Sequence, residues 1–386
     1  MRGAAIHLCL DGSPENRLKM KILLVAGSFP PMKCGVGDYS YRLAKALAAD
    51  GMIELGVLTS ACDEEVAAIE GVEIFPVMET WRTTEALRFI KLVRGWSPDI
   101  VHIQYPTQGY GKALLPWLLP LISFLLGKRV VQTWHEGGYA RRDAPKLLLK
   151  TIVPGRLIVV HREYKKKLHP TLRWALWTRK PVFIRSGSTI PKIDLTEKER
   201  HVLKTRYLKG QARLVVFFGF VYPYKRAELL LEIANPISDH IVIAGEIDKG
   251  GQYNAELMKR ANAREWANKV TITGYLSSAD AAALLAVADA VVLPFREGGG
   301  EWNTSIYGAV LQGTLVITTS TSQNGYHSRC NVYYAKGDGV EEMRSALDSY
   351  AGRRRQYDAQ IDGDEWRAIS NEHYALYAGL SAQPGS

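Results

Sequence analysis

A glycine-rich loop beside charged and polar residues is the strongest candidate for chemistry in the sequence. It lies in residues 293–313, LPFREGGGEWNTSIYGAVLQG, between a buried-strand pattern and a helix of small residues. Glycines let a ligand approach the backbone closely, and free N–H groups at a helix start attract phosphate. The residues offered to such a ligand are Glu297, Gly298, Gly299, Gly300, Asn303, Thr304 and Ser305. We therefore predict a site for a phosphorylated ligand here, with the Glu297 carboxylate accepting hydrogen bonds from hydroxyl groups.

A second candidate is a pair of cations that follows another strand pattern. In FFGFVYPYKR, the strand ends at Gly219 and a helix is predicted to begin near Lys225. Lysine offers a compact charge, and the Arg226 guanidinium offers a fork that grips two oxygens. Cations at a helix N-terminus oppose the helix dipole, which favours a role in binding over a merely solvated first turn. The pair predicts a diphosphate site.

Three further features are weaker signals. Gly35 and Gly37 precede a helical pattern and allow close approach to its N–H groups, although a glycine pair is also ordinary turn chemistry. His102 and Gln104 lie at the end of a strand that faces the same cleft. Each is equally well explained as a structural residue whose hydrogen bonds are satisfied within the protein. The DGD motif at residues 362–364 has no strand to deliver it, so we predict no metal site.

The elements that position these residues alternate regularly along the chain. Continuously apolar strands separated by helices indicate parallel sheets covered on both faces. The predicted strands span residues 21–26, 55–59, 72–76, 99–104, 129–134, 156–161, 181–184, 213–218, 240–244, 269–273, 290–294, 314–318 and 331–334. The fold class is therefore α/β, with two doubly wound domains. Ligands of such sheets bind beyond the carboxyl ends of the strands, so the cleft between the domains is the expected site.

The break SGSTIPK divides the two strand series and sets the predicted domain boundaries. Residues 1–19 are expected to be an extension, 20–190 the first domain, 191–360 the second and 361–386 a terminal helix that could return to the first domain. No stretch reaches the roughly 18 apolar residues of a membrane-spanning helix. The four cysteines show neither paired nor metal-binding spacing, which fits a reducing, cytoplasmic compartment.

The positive charge is concentrated in one part of the first domain. The chain of 386 residues carries a formal charge of +10, yet residues 128–190 hold 15 Lys and Arg against 3 Asp and Glu. Such a block indicates an anionic partner, namely a membrane, a nucleic acid or an acidic substrate, although a solvated face is the simpler alternative.

In order and spacing, these motifs resemble the GT-B-fold glycosyltransferases of the family 4 type, glycosyl transferases group 1. The resemblance rests on KILLVAGSFPPMKCGVGDYSYRLAKAL, DIVHIQYPTQGYG, TWHEGG, FFGFVYPYKRAELLL and TGYLSSADAAALLAVADAVVLPFREGG. It runs from about residue 21 to residue 380. It implies an enzyme that moves a hexosyl group from a UDP- or GDP-linked sugar to an acceptor hydroxyl, with no other cofactor.

The resemblance also implies roles for single residues. His135 would contact the donor sugar, Lys225 with Arg226 would hold the diphosphate, and Glu297 with the glycine loop would bind the sugar. The start of the helix at Thr304 and Ser305 would meet the pyrophosphate, near Gly219. The remaining residues on the first domain, Gly35, Gly37, Asp38, Tyr39, His102 and Gln104, would approach the transferred sugar and the acceptor.

The donor loop departs from the common pattern of that family. Many relatives have an arginine where this chain has Phe220, and a second glutamate where it has Gly308. The loop is about three residues longer than usual and contains Glu301. The group that contacts the ribose is therefore not identified by the resemblance.

Within this fold the basic block belongs to the acceptor domain. Its segment HREYKKKLHPTLRWALW places cations beside tryptophans, a composition suited to an anionic membrane surface. The residues concerned are Lys165, Lys166, Lys167, Arg173, Trp174 and Trp177. We expect a retaining, peripheral enzyme of the cytoplasmic membrane with a lipid-linked or envelope-glycan acceptor and no nucleic-acid partner. The alternatives are an inverting transferase or nucleotide-sugar epimerase on the same fold, or a non-catalytic basic membrane-binding protein.

Overall fold

The structure is a computed structural model of the 386-residue chain. It describes residues 19–135, 150–161, 164, 176, 179–247, 251–300, 303–337, 339–356, 358 and 364–381. The description that follows is confined to these residues. None of their helices is long and apolar enough to cross a membrane.

The first domain is built on a parallel sheet of seven strands in the order β3-β2-β1-β4-β5-β6-β7. The strands are β1 Met20–Val25, β2 Ile53–Ser60, β3 Val72–Met78, β4 Ile100–Tyr105, β5 Arg129–Trp134, β6 Arg156–Val159 and β7 Val182–Phe183. The central strands are buried along nearly their whole length because helices cover both faces, as their apolar runs predict. In register, His102 of β4 lies between Leu24 of β1 and Val131 of β5.

Three helices of this domain are described: α1 Gly35–Ala49, α2 Ala86–Trp96 and α3 Leu115–Leu125. One face of the sheet packs on α1 through Tyr39, Leu43 and Leu47. The opposite face packs on α2 and α3 in a separate core cluster that also takes in Tyr164 and Leu176. The two sides of the sheet therefore have separate hydrophobic cores.

The second domain has its own seven-stranded sheet, in the order β10-β9-β8-β11-β12-β14-β13. Its strands are β8 Arg213–Phe218, β9 Asp239–Ala244, β10 Val270–Gly274, β11 Ala290–Leu293, β12 Val316–Ser320, β13 Gly325–His327 and β14 Val332–Lys336. All neighbours are parallel except β13, a short antiparallel edge strand on β14. The predicted α/β class with two doubly wound domains is confirmed.

The described helices of the second half are α4 Glu197–Leu208, α5 Leu230–Ile233, α6 Gln252–Ala261, α7 Ser278–Val287, α8 Thr304–Leu311, α9 Val340–Tyr350 and α10 Glu365–Ser381. The prediction that a helix begins near Lys225 is wrong. Pro223–Lys225 and Ala227–Leu229 are separate 3-10 turns, because Arg226 between them adopts a left-handed conformation at φ 53°.

The last helix, α10, follows the second domain in sequence but packs on the first. Its Ile369, Tyr377 and Leu380 lie in the same core cluster as α1, and Glu365 at its start accepts a hydrogen bond from the backbone N–H of Ser188 at 2.5 Å. This helix therefore completes the first domain on the face that α1 covers.

Candidate functional site

Three groups of the second domain converge where β8 ends. Gly219 follows β8 at φ 121°, a conformation that favours glycine. A Cβ atom built on Gly219 would lie 2.8 Å from Ser305 Oγ and 3.2 Å from Lys225 Nζ. The missing side chain thus leaves an ammonium and a hydroxyl facing one point. These are residues that the sequence predicts for the diphosphate, drawn from segments 80 positions apart.

Lys225 is held in surroundings that make its charge costly. Its Nζ lies 5.8 Å from the centroid of the Tyr222 ring and 6.0 Å from that of Phe295. Burial lowers the pKa of the ammonium from 10.5 to about 8. Among the described residues, Nζ makes neither a hydrogen bond nor an ion pair. An anionic ligand at Gly219 would therefore supply the partner that favours the charged form.

The N-terminus of α8 is aimed at the same place through Ser305. Asn303, the residue just before α8, does not cap the helix with its side chain. Its Oδ1 instead accepts a hydrogen bond from the Gly300 N–H at 2.9 Å. The first N–H groups of α8 consequently lack the usual side-chain acceptor. Together with Lys225, they form the positive part of the site.

The glycine loop is shaped by contacts with β12. Gly298 adopts φ 82°, and the Gly299 N–H donates to the Thr319 carbonyl at 2.8 Å. A Cβ on Gly299 would come within 2.5 Å of Thr318 Oγ1, so the loop can take this path only with glycine. Glu297, which precedes it, is exposed. Gly308, the position at which the resemblance leads us to expect a second glutamate, instead faces Ile190, whose Cγ1 would lie 3.2 Å from a Cβ at that position.

Arg226 does not occupy the place expected from the sequence. Its side chain is buried, and Nε donates a hydrogen bond to the Pro294 carbonyl at 2.7 Å. The left-handed turn at this residue directs the guanidinium toward the end of β11. Arg226 therefore braces the strand that precedes the glycine loop, and its predicted contact with the diphosphate is replaced by this positioning role.

The first domain contributes a chain of hydrogen bonds that begins at His135. His135 follows β5, and its Nε2 lies 2.7 Å from Gln104 Oε1. The amide nitrogen of Gln104 lies 3.2 Å from His102 Nε2. Burial lowers the pKa of His135 to about 3, so the imidazole is neutral at physiological pH. The neutral ring donates from Nε2 to Gln104, which leaves Nδ1 as an acceptor.

The same chain continues into α10. His102 Nε2 lies 2.7 Å from Thr133 Oγ1, and His102 Nδ1 lies 2.6 Å from the Tyr377 hydroxyl. His102 and Gln104 are fully buried, so neither contacts the acceptor directly, contrary to the expectation from sequence. They hold His135 instead. The role of Tyr377 could not be inferred from the sequence, because this residue is 275 positions from its partner.

The start of α1 lies beside His135. The Tyr39 ring packs edge-on against His135 with centroids 4.7 Å apart. Gly37 faces the Ser28 carbonyl, which a Cβ would approach to 3.0 Å, whereas a Cβ on Gly35 would meet no atom within 4 Å. Gly37 thus allows close packing of α1, and Gly35 leaves the helix start open toward a ligand.

Contacts join the two domains across the cleft. The Tyr275 hydroxyl donates to Asp38 Oδ2 at 3.1 Å, and Lys33 pairs with Glu246 at 3.1 Å. Burial raises the pKa of the Asp38 carboxyl from 3.8 to about 6, while the Tyr275 hydrogen bond and Arg42 oppose that rise. Gln108 Nε2 donates to the Tyr222 hydroxyl at 3.2 Å. These contacts bring Asp38, which the sequence predicts for the acceptor side, against the second domain, so the two domains face one cleft.

Some of the predicted residues lie outside the described part of the chain. These are Lys165, Lys166, Lys167, Arg173, Trp174 and Trp177, together with Glu301 of the donor loop. The membrane role of the six residues stays a prediction.

Comparison with known families supports the interpretation of both domains. Residues 34–184 match the model for glycosyltransferase family 4, and residues 212–351 match the model for glycosyl transferases group 1. Together the two matches cover 291 of the 386 residues. The chain belongs to the family 4, group 1 glycosyltransferases. The resemblance inferred from the sequence is confirmed, and with it the prediction of an enzyme.

Solved structures confirm the GT-B fold of this glycosyltransferase. Sucrose-phosphate synthase from Thermosynechococcus elongatus is 15% identical, with a TM-score of 0.71 over 94% of this chain and 100% of that one. HepE from Anabaena, in complex with UDP-glucose, is 14% identical, with a TM-score of 0.63 over 94% and 100%. Starch synthase IV from Arabidopsis thaliana, bound to ADP and acarbose, is 13% identical, with a TM-score of 0.66 over 95% and 100%. A sequence search of curated proteins finds no match.

Proposed function

We propose that this glycosyltransferase transfers a hexosyl group from a UDP- or GDP-linked sugar to an acceptor hydroxyl, with retention at the anomeric carbon. The convergence of Lys225 Nζ and Ser305 Oγ at Gly219 carries the proposal, because a cation, a hydroxyl and a helix N-terminus together suit a diphosphate. The complex of HepE with UDP-glucose supports the same class of donor.

The proposed reaction breaks the bond between the anomeric carbon and the diphosphate oxygen and forms a bond to the acceptor oxygen on the same face of the sugar. The departing diphosphate takes the acceptor proton. Lys225, Ser305 and the N–H groups of α8 stabilise the negative charge that develops on it, which is commonly the largest contribution to rate. His135 contacts the sugar from the opposite wall, and Glu297 binds its hydroxyls.

We propose that the acceptor is lipid-linked or part of an envelope glycan, and that the enzyme works peripherally on the cytoplasmic membrane. The support is the concentration of 15 Lys and Arg against 3 acidic residues in 128–190, within the domain that faces the acceptor. We further propose that donor binding uses no metal, because Lys225 and α8 supply the positive charge.

A donor screen tests this function. The full chain is incubated with a panel of UDP- and GDP-sugars and with envelope lipids and glycans as acceptors, and the released nucleoside diphosphate is measured with and without a chelator. We expect one donor to be cleaved at a rate that the chelator leaves unchanged. Release from none of the donors would refute the proposal.

The stereochemistry is tested on the glycosylated acceptor formed from the donor that is cleaved. We expect NMR of the anomeric proton to show the same configuration as in the donor. An inverted product would establish the inverting alternative. A new sugar nucleotide would instead establish an epimerase, the activity named for a putative UDP-N-acetylglucosamine 2-epimerase from Listeria monocytogenes that is similar at a TM-score of 0.56.

A further inference from the structure

A stripe of leucines runs along the outer face of α3. Leu114, Leu118, Leu121 and Leu125 follow one another at intervals of four, three and four residues, which places them on one side of a helix. Leu114, Leu121 and Leu125 are 51%, 38% and 73% exposed. The opposite side of α3 packs into the core through Leu115 and Leu119. The leucine stripe is thus an apolar surface added to a helix that is already packed.

No charge interrupts this surface, since residues 113–127 contain no ionisable side chain. Phe124, at 45% exposure, widens the stripe on one side. Folded proteins rarely leave contiguous apolar patches exposed unless they bind a partner or a membrane. The charge of the neighbouring residues indicates which kind of partner the leucine stripe fits.

The surroundings are cationic. Residues 86–129, which contain α2 and α3, carry six Lys and Arg side chains and one acidic residue, Asp99. Arg88 is one of the six and is paired with Glu79 and Glu85, which precede α2, so the excess of cations rests on the other five. Lys91 and Arg94 of α2 are exposed, as is Lys112 before α3. The exposed Asp99 accepts a hydrogen bond at its Oδ2 from the Lys21 backbone N–H at 2.8 Å.

Part of the stretch 128–190, as far as the structure describes it, packs on this face of the sheet. Val153, Tyr164 and Leu176 lie in the same core cluster as α2 and α3, and they belong to the stretch 128–190 with its excess of cations. An apolar stripe bordered by cations matches an anionic lipid surface, which offers hydrocarbon to the leucines and phosphate to the charges. A second copy of this face is the poorer partner, because a symmetric contact would bring cations against cations.

We propose that the face formed by α2 and α3 docks on an anionic phospholipid bilayer, with the leucine stripe inserted at the boundary of headgroups and acyl chains. This inference deepens the proposed function and rests on it for the acceptor. The proposed docking face also contacts a strand that ends at the cleft. The ring centroids of Trp117 in α3 and Tyr105 in β4 are 4.9 Å apart, and Tyr105 follows Gln104.

The test uses flotation of the full chain with vesicles of phosphatidylglycerol and phosphatidylcholine, or of phosphatidylcholine alone. The double variant Leu121→Glu/Leu125→Glu replaces the C-terminal half of the stripe at two exposed positions. Ile237→Glu is the matched control, because Ile237 is 86% exposed on the second domain. We expect the wild type and the control to bind the anionic vesicles, less strongly as salt rises, and the double variant to bind roughly tenfold or more weakly.

Several outcomes would overturn the docking proposal. One is undiminished binding by the double variant, and another is wild-type binding that ignores salt and lipid charge. A third is a wild type that is dimeric and a double variant that is monomeric, without a difference in vesicle binding. Nucleoside diphosphate release is measured in parallel without vesicles. We expect it to be equal in all three proteins, so that loss of docking is distinguishable from failure of the proposed reaction.

Discussion

The two walls of the cleft satisfy their polar groups in opposite ways. On the first domain, His135, Gln104 and His102 are already bonded to one another and to Tyr377. On the second, Lys225 and Ser305 face a common point without a hydrogen-bond partner among the described residues. The chain of His135, Gln104 and His102 on the first wall is therefore neutral and fixed before any ligand binds, whereas the second wall is completed electrostatically by an anion. Changes to the second wall should cost catalysis, and changes to the first should cost positioning.

The largest effect is expected for Lys225→Ala. Loss of the ammonium removes the charge that stabilises the leaving diphosphate, and we expect turnover to fall about 10²–10³-fold. Lys198→Ala, at an exposed position of α4, is the control and should be unchanged. Nucleoside diphosphate release measures both. Near-normal turnover of Lys225→Ala would remove this residue from the mechanism.

The pH dependence of the same residue sharpens the contrast. In the unliganded enzyme the Lys225 pKa is lowered to about 8, so the charge is lost as the pH rises through that value. The kcat/KM for the donor, which reports on the free enzyme, should therefore decline above about pH 8. Lys225→Arg should keep a lower but flat profile, because the guanidinium stays charged. A wild-type profile that is equally flat would contradict the assignment.

The next largest effect is expected when the space beside Gly219 is filled by a methyl group. In Gly219→Ala the new methyl would press on Ser305 Oγ and Lys225 Nζ, and we expect donor turnover to fall roughly 10–100-fold. Gly210→Ala separates crowding from backbone strain, because Gly210 also has a positive φ, 88°, but no atom within 4 Å of a Cβ. Both variants should lose thermal stability. If they lose activity equally, crowding of the site is not the cause.

A smaller effect is expected on the first wall from Tyr377→Phe. Removing the hydroxyl leaves His102 Nδ1 without its partner, at a cost of about 1–3 kcal/mol in unfolding free energy. Tyr374→Phe on the same helix is the control. We expect kcat to fall only a fewfold, while ¹⁵N NMR shows loss of the Nε2–H tautomer of His135. An unchanged tautomer would reduce Tyr377 to a purely structural residue.

The smallest effect should come from Asp38, the acid of the first wall that touches the second. Its pKa is raised to about 6 in the folded protein, so the native state favours the protonated carboxyl and loses stability as the pH rises from 3.8 through 6. Asp38→Asn buries no charge and should raise Tm above pH 6, with the gain vanishing below pH 4. Exposed Asp50→Asn, at the other end of α1, is the control. A gain independent of pH would contradict this origin.

The sheets could be predicted from the sequence because strands depend on local pattern, and the same kind of pattern singled out residues proposed for the donor, which the structure brings together. Apolar runs located the strands, and glycines with polar residues located the segments around Gly219 and Ser305. The turn at Arg226 escaped prediction, because a left-handed arginine is selected by its hydrogen bond to Pro294 and not by its neighbours in sequence. Strand β13 is only three residues long, too short for a periodic signal. The pairing of His102 with Tyr377 depends on how α10 packs.

The path of α10 has a consequence for the order of folding. The core between α1 and the first sheet includes Ile369, Tyr377 and Leu380, residues from the last part of the chain. During synthesis, the domain that is made first therefore exposes part of its apolar surface until the second domain has been translated. A protein truncated before residue 365 should aggregate through the apolar surface of the first domain that α10 normally covers.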